Sequence, residues 1–381
     1  MNLNKIDSRL IETISILNCE TKTECFVFAK DFDATRRLLK NKKASVLCEY
    51  LFINCFCCFL SQKQIFDLSD YGMVKHISSD PKAFSLMHVA KSVLQKDKCK
   101  LNGDGVGIAF IDTGACPHAD FVLGENRIKT FKDFVGGRKN PYDDNGHGTF
   151  VCGVCSGNGV MSKFRYSGIA CKSQMHILKA LDAKGEANAS RILDAMQWVY
   201  ENHKKCNIKI VCMSFGSEPL GFNDPIVMGA EALWEDGVLV VAAAGNSGPE
   251  FQTIKSPGIS IKLVTVVGID DNRYDNKSYN KNFFEIADFS SRGPAFRSAK
   301  PDVVAPSVEI TSCSAKGLYR QLSGTSVATP MVAGVCALIL QKYPTFSPDK
   351  VKRVLLQICN PLGFGQNLEG YGLPDLSKLY I

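Results

Sequence analysis

The hydrophobic pattern divides the chain near residue 100 into two stretches of different character. From Glu24 to Ile77 the apolar segments are short and separated by charged turns. Cys25–Ala29 predicts a strand, and Asp33 is expected to cap a short helix ending at Lys40. Ala44–Ile53 and Cys55–Leu60 predict two β-rich segments. Ser61 caps a helix over Gln62–Leu68, and Val74–Ile77 closes the set. The order βαββαβ predicts a small ferredoxin-like α+β module over residues 21–79. Residues 1–20 carry no readable pattern and are assigned to an N-terminal arm. Residues 80–100 are polar and lysine-rich apart from Ala83–Val89, so they read as a linker.

After Gly103-Asp104-Gly105 the apolar runs become continuous. Val106–Ile111 ends in Asp112, and unbroken apolarity of this kind suits a parallel strand covered on both faces. His176–Ala180, Ile208–Met213, Val238–Ala244 and Leu263–Val267 predict further strands. Arg191–His203 places Ile192, Ala195, Met196 and Val199 at helical spacing. A second helix starts at Pro225 and stops at Gly237, and two more cover Val327–Lys342 and Pro348–Ile358. The alternation predicts an α/β domain over residues 101–381, a doubly wound, mainly parallel sheet with helices on both faces.

Composition narrows this picture in three ways. Apolar residues make up 45% of the 381, enough for a large core. The net charge of +7 comes without a basic run interleaved with aromatics, which argues against a nucleic-acid partner. The sixteen cysteines are scattered, many in apolar segments, as reduced core residues are. Cys152-x-x-Cys155 lacks a second pair at zinc spacing and falls in a small-residue helix. The N-terminus lacks the apolar core of a signal peptide, and the most apolar run, Val46–Leu60, is too short to span a bilayer. The expectation is a cytoplasmic protein without a membrane partner.

Four polar residues stand at the ends of predicted elements. Asp112 ends an apolar strand, where open α/β sheets gather functional groups. His147 lies between Gly146 and Gly148 ahead of a small-residue helix. Ser326 follows Gly324-Thr325 and precedes the apolar run Val327–Leu340. A tight turn there would hold it at a helix N-terminus, where developing negative charge is favoured. Taken singly, these residues also read as a turn former, a loop histidine and an N-cap. Taken together, Asp, His and Ser in this order form one arrangement of the nucleophile–base–orienter triad. Asn246, in Ala242–Gly248, reads as a plain turn residue or as a donor to a tetrahedral oxyanion.

On these stretches the chain resembles the subtilisin-like serine peptidases (subtilases, the S8 family), and among them the intracellular bacterial members. The resemblance is carried by Ile111-Asp112-Thr113-Gly114, Asn145-Gly146-His147-Gly148-Thr149, Ala244-Gly245-Asn246-Ser247-Gly248 and Gly324-Thr325-Ser326-Val327-Ala328-Thr329-Pro330. Met213–Gly216, Asp288–Pro294 and Lys300–Pro306 extend it. It implies a serine endopeptidase acting on protein or peptide substrates through an acyl-enzyme. Ser326 would be the nucleophile, His147 the base, Asp112 its orienter and Asn246 the oxyanion donor. Ser214, Phe215 and Gly216 would pair with the substrate backbone, and Ala243, Ala244, Gly245 and Lys255 would border the side-chain pocket.

The N-terminal module resembles the family's inhibitory propeptide. That implies a zymogen whose own prodomain is its first partner, with self-cleavage within residues 80–100 and Phe84-Ser85-Leu86-Met87 as the segment nearest the cleft. A narrow processing protease, for instance in sporulation or germination, and a catalytically silent binding protein are the competing readings. The chemistry implied requires no cofactor. Asp120 matches a position that binds calcium in some members, whereas Ser156–Arg165, where the family's calcium loop is frequent, carries two cations and no carboxylate. Lys255 stands where many members have glycine. Pointing inward it would narrow the pocket or favour an acidic side chain. The cost of burying an unpaired ammonium favours solvent and an apolar preference.

Overall fold

The computed structural model describes residues 2–7, 10–11, 14–15, 21–79, 86–221, 224–272, 284–296 and 298–380. They belong to two compact units, Met1–Ala83 and Phe84–Ile381.

The first unit contains β1 (Lys22–Ala29), α1 (Phe32–Asn41), β2 (Ser45–Tyr50), β3 (Cys55–Ser61), α2 (Gln62–Ser69) and β4 (Val74–Ser79). The strands pair in the order β2-β3-β1-β4, antiparallel throughout, which is the predicted ferredoxin-like arrangement. Alternation decides the inner face: Cys25, Val27 and Ala29 of β1 are buried. Ser61 and Gln64 form a reciprocal capping box at the start of α2. The cap of α1 is Asp31 rather than Asp33. Asp31 is extended and accepts from the Ala34 N–H at 3.0 Å, while Asp33 already lies in the first turn, paired with Arg36.

The N-terminal residues are not a free arm. Ile6, Leu10 and Ile14, spaced four apart, are buried in this unit's core. The Asp7 N–H donates to the Ile77 carbonyl, and the Asp7 carboxylate accepts from Ser79.

The second unit opens with α3 (Leu86–Val93), and here the linker expectation is corrected. Ala90, Val93, Leu94 and Cys99 are buried in the core of this unit, and Leu94 accepts a hydrogen bond from the Leu376 N–H. Ala90 and Val93 therefore belong to a helix that packs on this unit.

The sheet that follows holds β5 (Gly107–Asp112), β6 (Ile128–Asp133), β7 (Gln174–Lys179), β8 (Ile208–Met213), β9 (Leu239–Ala243), β10 (Val264–Asp270), β11 (Glu285–Ile286) and β12 (Val303–Pro306). Its order is β11-β10-β9-β8-β5-β7-β6, with β12 also paired to β10. All pairs are parallel except β10 with β11. From β5 the chain runs to the edge strand β6, returns through β7 beside β5, and then crosses to β8 on the other side. The carboxyl end of β5 is therefore a topological switch point, where open α/β sheets form their sites.

The helices are α4 (His147–Ser156), α5 (Ala189–Cys206), α6 (Pro225–Glu235), α7 (Thr325–Lys342) and α8 (Pro348–Gln357). A two-stranded ribbon of β13 (Ile310–Cys313) and β14 (Tyr319–Leu322) precedes α7. By length and mean hydropathy, 1.3, α7 could cross a membrane, but 83% of it is buried inside this unit. It packs on α4 and on β8, β9 and β10, and that burial accounts for its apolarity.

Candidate active site

Asp112 ends β5 with its side chain almost fully buried. Its two carboxylate oxygens lie 2.8 and 3.1 Å from His147 Nδ1. His147 opens α4, and the close approach rests on its neighbour. A β-carbon on Gly148 would collide with the Gly114 carbonyl oxygen and stand 3.1 Å from Asp112 Oδ1.

A buried polar network sets this geometry. Asp143 Oδ1 accepts from Thr113 Oγ1, at 2.9 Å, and from the Asn145 and Gly146 N–H groups. Its Oδ2 accepts from the Thr149 N–H and hydroxyl at 2.8 and 2.6 Å. Thr113 Oγ1 in turn accepts from the Gly148 N–H at 2.8 Å. Asp143 thus serves the otherwise orphaned donors at the start of α4, and Thr113 ties that turn to the end of β5. Lys179, fully buried at the end of β7, donates to the Thr113 and Leu181 carbonyls and to Asp144. Sequence reasoning singled out none of these three residues. An acidic side chain four residues before the histidine and a lysine closing an apolar parallel strand were the available signals.

The imidazole of His147, a quarter exposed, is held above its ordinary pKa of 6.5. Burial pulls it down, but the charge and hydrogen bond of Asp112, with the charge of Asp143, outweigh that effect. The charged form is stabilised where a base that takes a proton needs it.

Ser326 lies in the first turn of α7, whose N-cap is Gly324. Gly324 has φ +151°, a conformation side chains rarely adopt, and a β-carbon there would stand 3.1 Å from Ser326 Oγ and 3.4 Å from Asn246 Nδ2. Asn246 is oriented by Thr325, whose N–H and hydroxyl both donate to Asn246 Oδ1 at 3.0 Å. The carbonyl end is committed to those donors, and the Nδ2 end is the one turned to donate.

Ser326 and Asn246 line a cavity of about 240 Å³ with Ser214, Phe215, Gly216 and Lys255. Ala243 and Gly245 also line it. Ala244 does not: it is fully buried, and its backbone carbonyl accepts from the Lys255 N–H at 2.8 Å. Ser214–Gly216 extend beyond β8 without belonging to a strand.

Lys255 has a covered stem, its side chain only 18% exposed, and carries its ammonium to the largely exposed Glu218. The expected penalty was that of an unpaired charge, and Glu218 removes that premise.

The residues around Asp120 do not fit calcium. Asp120 Oδ1 accepts from the Met161 N–H at 2.9 Å and Oδ2 from the Tyr319 hydroxyl at 2.7 Å. The buried Arg127 guanidinium donates to the Asp120 and Ser156 carbonyls, occupying two oxygens a cation would need. His118 and Cys313 bring ligand atoms near the same carboxylate. His118 Nδ1 already accepts from the Asp120 N–H, and a thiol and an imidazole are soft donors that do not suit calcium.

A model of the Subtilase family matches residues 103–373. Serine protease AprX of Bacillus subtilis (strain 168) is 34% identical over 347 residues, 84% of this chain and 77% of that protein. Subtilisin Savinase of Lederbergia lenta is 33% identical over 274 residues, 72% of this chain and 90% of that protein. Among solved structures, S41 psychrophilic protease matches with a TM-score of 0.66 at 29% identity, over 75% of this chain and 96% of that one. Sphericase matches with a TM-score of 0.65 at 28% identity, over the same shares.

Proposed function

Because the chain belongs to the subtilase family, and is a serine endopeptidase acting on proteins or peptides, we propose that Ser326, His147, Asp112 and Asn246 carry the reaction. Ser326 Oγ attacks the scissile carbonyl while its proton passes to His147 Nε2. The oxyanion is held by Asn246 Nδ2 and the Ser326 N–H at the start of α7. Collapse expels the amine, which takes the proton back from His147 and leaves an acyl-enzyme. Water, deprotonated by the same imidazole, then releases the acid. The observation that carries this reading is the 2.8 Å bond from His147 Nδ1 to Asp112, which leaves Nε2 as the basic nitrogen. On protein from which the first unit has been removed, a fluorophosphonate probe should label Ser326 alone, as peptide mass mapping would show. Labelling at any other residue, or none, would sink the assignment.

Asn246→Ala is expected to lower kcat roughly 10²–10³-fold, the size of the oxyanion-donor effect in subtilisin. KM should change little, because the donor meets the oxyanion rather than the resting carbonyl. Steady-state kinetics on a peptide substrate separate the two, and a loss confined to KM would count against the role.

The first unit is proposed to act as an intramolecular inhibitor removed by self-cleavage. Its separate core supports this reading. Of the segment expected nearest the cleft, Phe84 and Ser85 lie outside the described residues, and Leu86 and Met87 begin α3. A cut inside α3 would expose Ala90, Val93 and Leu94, so the favoured bond lies between Ser79 and Leu86. N-terminal sequencing should find a new terminus there in the wild type and the intact one in Ser326→Ala. Identical full-length termini in both would refute self-processing.

A further inference from the structure

We propose that Lys255 makes this enzyme prefer substrates with an acidic side chain on the residue that supplies the attacked carbonyl (P1). The inference rests on the catalytic reading above. Among the described residues lining the cavity beside Ser326, Lys255 is the one charged side chain. Its stem crosses the cavity wall between two backbone segments. A β-carbon on Gly216 would stand 2.7 Å from Lys255 Cβ, and one on Gly245 2.5 Å from Lys255 Cγ. The lysine backbone is fixed in turn, its N–H bonded to the Ala244 carbonyl. Stem and backbone therefore fix Cβ and Cγ in the cavity wall, and from there the ammonium reaches Glu218.

The partner of that ammonium is replaceable. Glu218 is 80% exposed, whereas the Lys255 side chain is 18% exposed. An ion pair with one foot in bulk water is weak and screened by salt. A P1 carboxylate entering the cavity exchanges it for a pair shielded by the substrate itself, where charge-assisted hydrogen bonds are stronger. A large apolar P1 side chain gains no such bond. It would cover the ammonium and strip its water with nothing in return.

The test uses the full chain, incubated until its N-terminus no longer changes, and three peptides that differ only in P1: Glu, Gln and Leu. Gln matches Glu in size, so their ratio reads charge alone. Wild type should show kcat/KM for Glu above Gln by about 10–100-fold, the value of one hydrogen bond to a charged group. Lys255→Met keeps the stem and should bring that ratio to about 1. Lys255→Gly should turn the preference toward Leu. Glu218→Gln, at an exposed position, should raise the rate on the Glu peptide by removing the competitor. Fluorophosphonate labelling of Ser326 in each variant shows that its site is formed. A labelled wild type that cleaves Gln or Leu as fast as Glu overturns this proposal alone, as does a Glu218→Gln variant with unchanged preference. A wild type that does not label overturns the catalytic reading, and this one with it.

Discussion

Replacing Ser326 with alanine is expected to lower kcat by about 10⁶, the size of the effect in subtilisin itself. The substitution removes one oxygen from the first turn of α7 and leaves the rest of the site standing. Asn246 keeps its two bonds from Thr325, and His147 keeps Asp112. Alanine is also the best helix former, so the start of α7 is not weakened. Once an added protease has removed the first unit from both proteins, thermal unfolding should therefore match the wild type, and the loss should appear in kcat alone. A residual rate about 10³–10⁴ above the uncatalysed one is expected from the remaining donors and substrate binding. The measurement is single-turnover hydrolysis with enzyme in excess, using protein expressed and purified apart from any wild type. A variant that retains even one hundredth of the wild-type rate would mean that another group is the nucleophile.

Ser326 is legible as a candidate because its setting is local: two small residues, the serine, then an apolar helix. Asp112 and His147 are legible for the same reason, each at the edge of an element whose hydrophobic pattern is strong. The residues that support them follow another logic. Asp143 and Thr113 do their work through bonds between β5 and the start of α4, and Lys179 through bonds to both sides of that junction. Nothing in a one-dimensional pattern shows which donors converge on one carboxylate. Lys255 is the sharpest case. An unpaired ammonium does avoid burial, but Glu218, 37 residues away, supplies the pair. Asp120 fails in the opposite sense: its residue type suits calcium, but its oxygens are already met by protons from Met161 and Tyr319.

The fold divides along a similar line. β5 is covered on both faces and reads as an unbroken apolar run, whereas the edge strand β6 is mostly half exposed and its pattern is faint. Ile6, Leu10 and Ile14 stand at helical spacing, but with so much polar sequence between them the signal fell below that of an arm. The helix α3 reads as linker because its neighbours are charged, and only the burial of Ala90 and Val93 in the peptidase core reveals its role.

Asp112→Asn should cost about 10⁴-fold in kcat/KM, as such a change does in other triads, and should also move the pH profile. The carboxylate can only accept, so it fixes the proton on Nδ1 and, on the proposed roles, leaves the Nε2 lone pair for Ser326. An amide can turn its NH₂ toward Nδ1, which then becomes the acceptor and places the proton on Nε2, the wrong nitrogen. The second consequence follows from the charges. In the wild type, burial lowers the imidazole pKa, and Asp112 with Asp143 raises it beyond the ordinary value of 6.5, against a smaller opposing effect of Arg320. The base works in its neutral form, so wild-type activity should rise with pH along a limb centred above 6.5. Without the Asp112 charge, burial and Arg320 face Asp143 alone, and the neutral form persists to lower pH. The acidic limb of the variant should then lie below that of the wild type. Measuring kcat/KM from about pH 5 to 9 reads both effects in one series. A large loss of rate with an unmoved limb would assign Asp112 a purely structural role, and a loss under about tenfold would remove it from the triad.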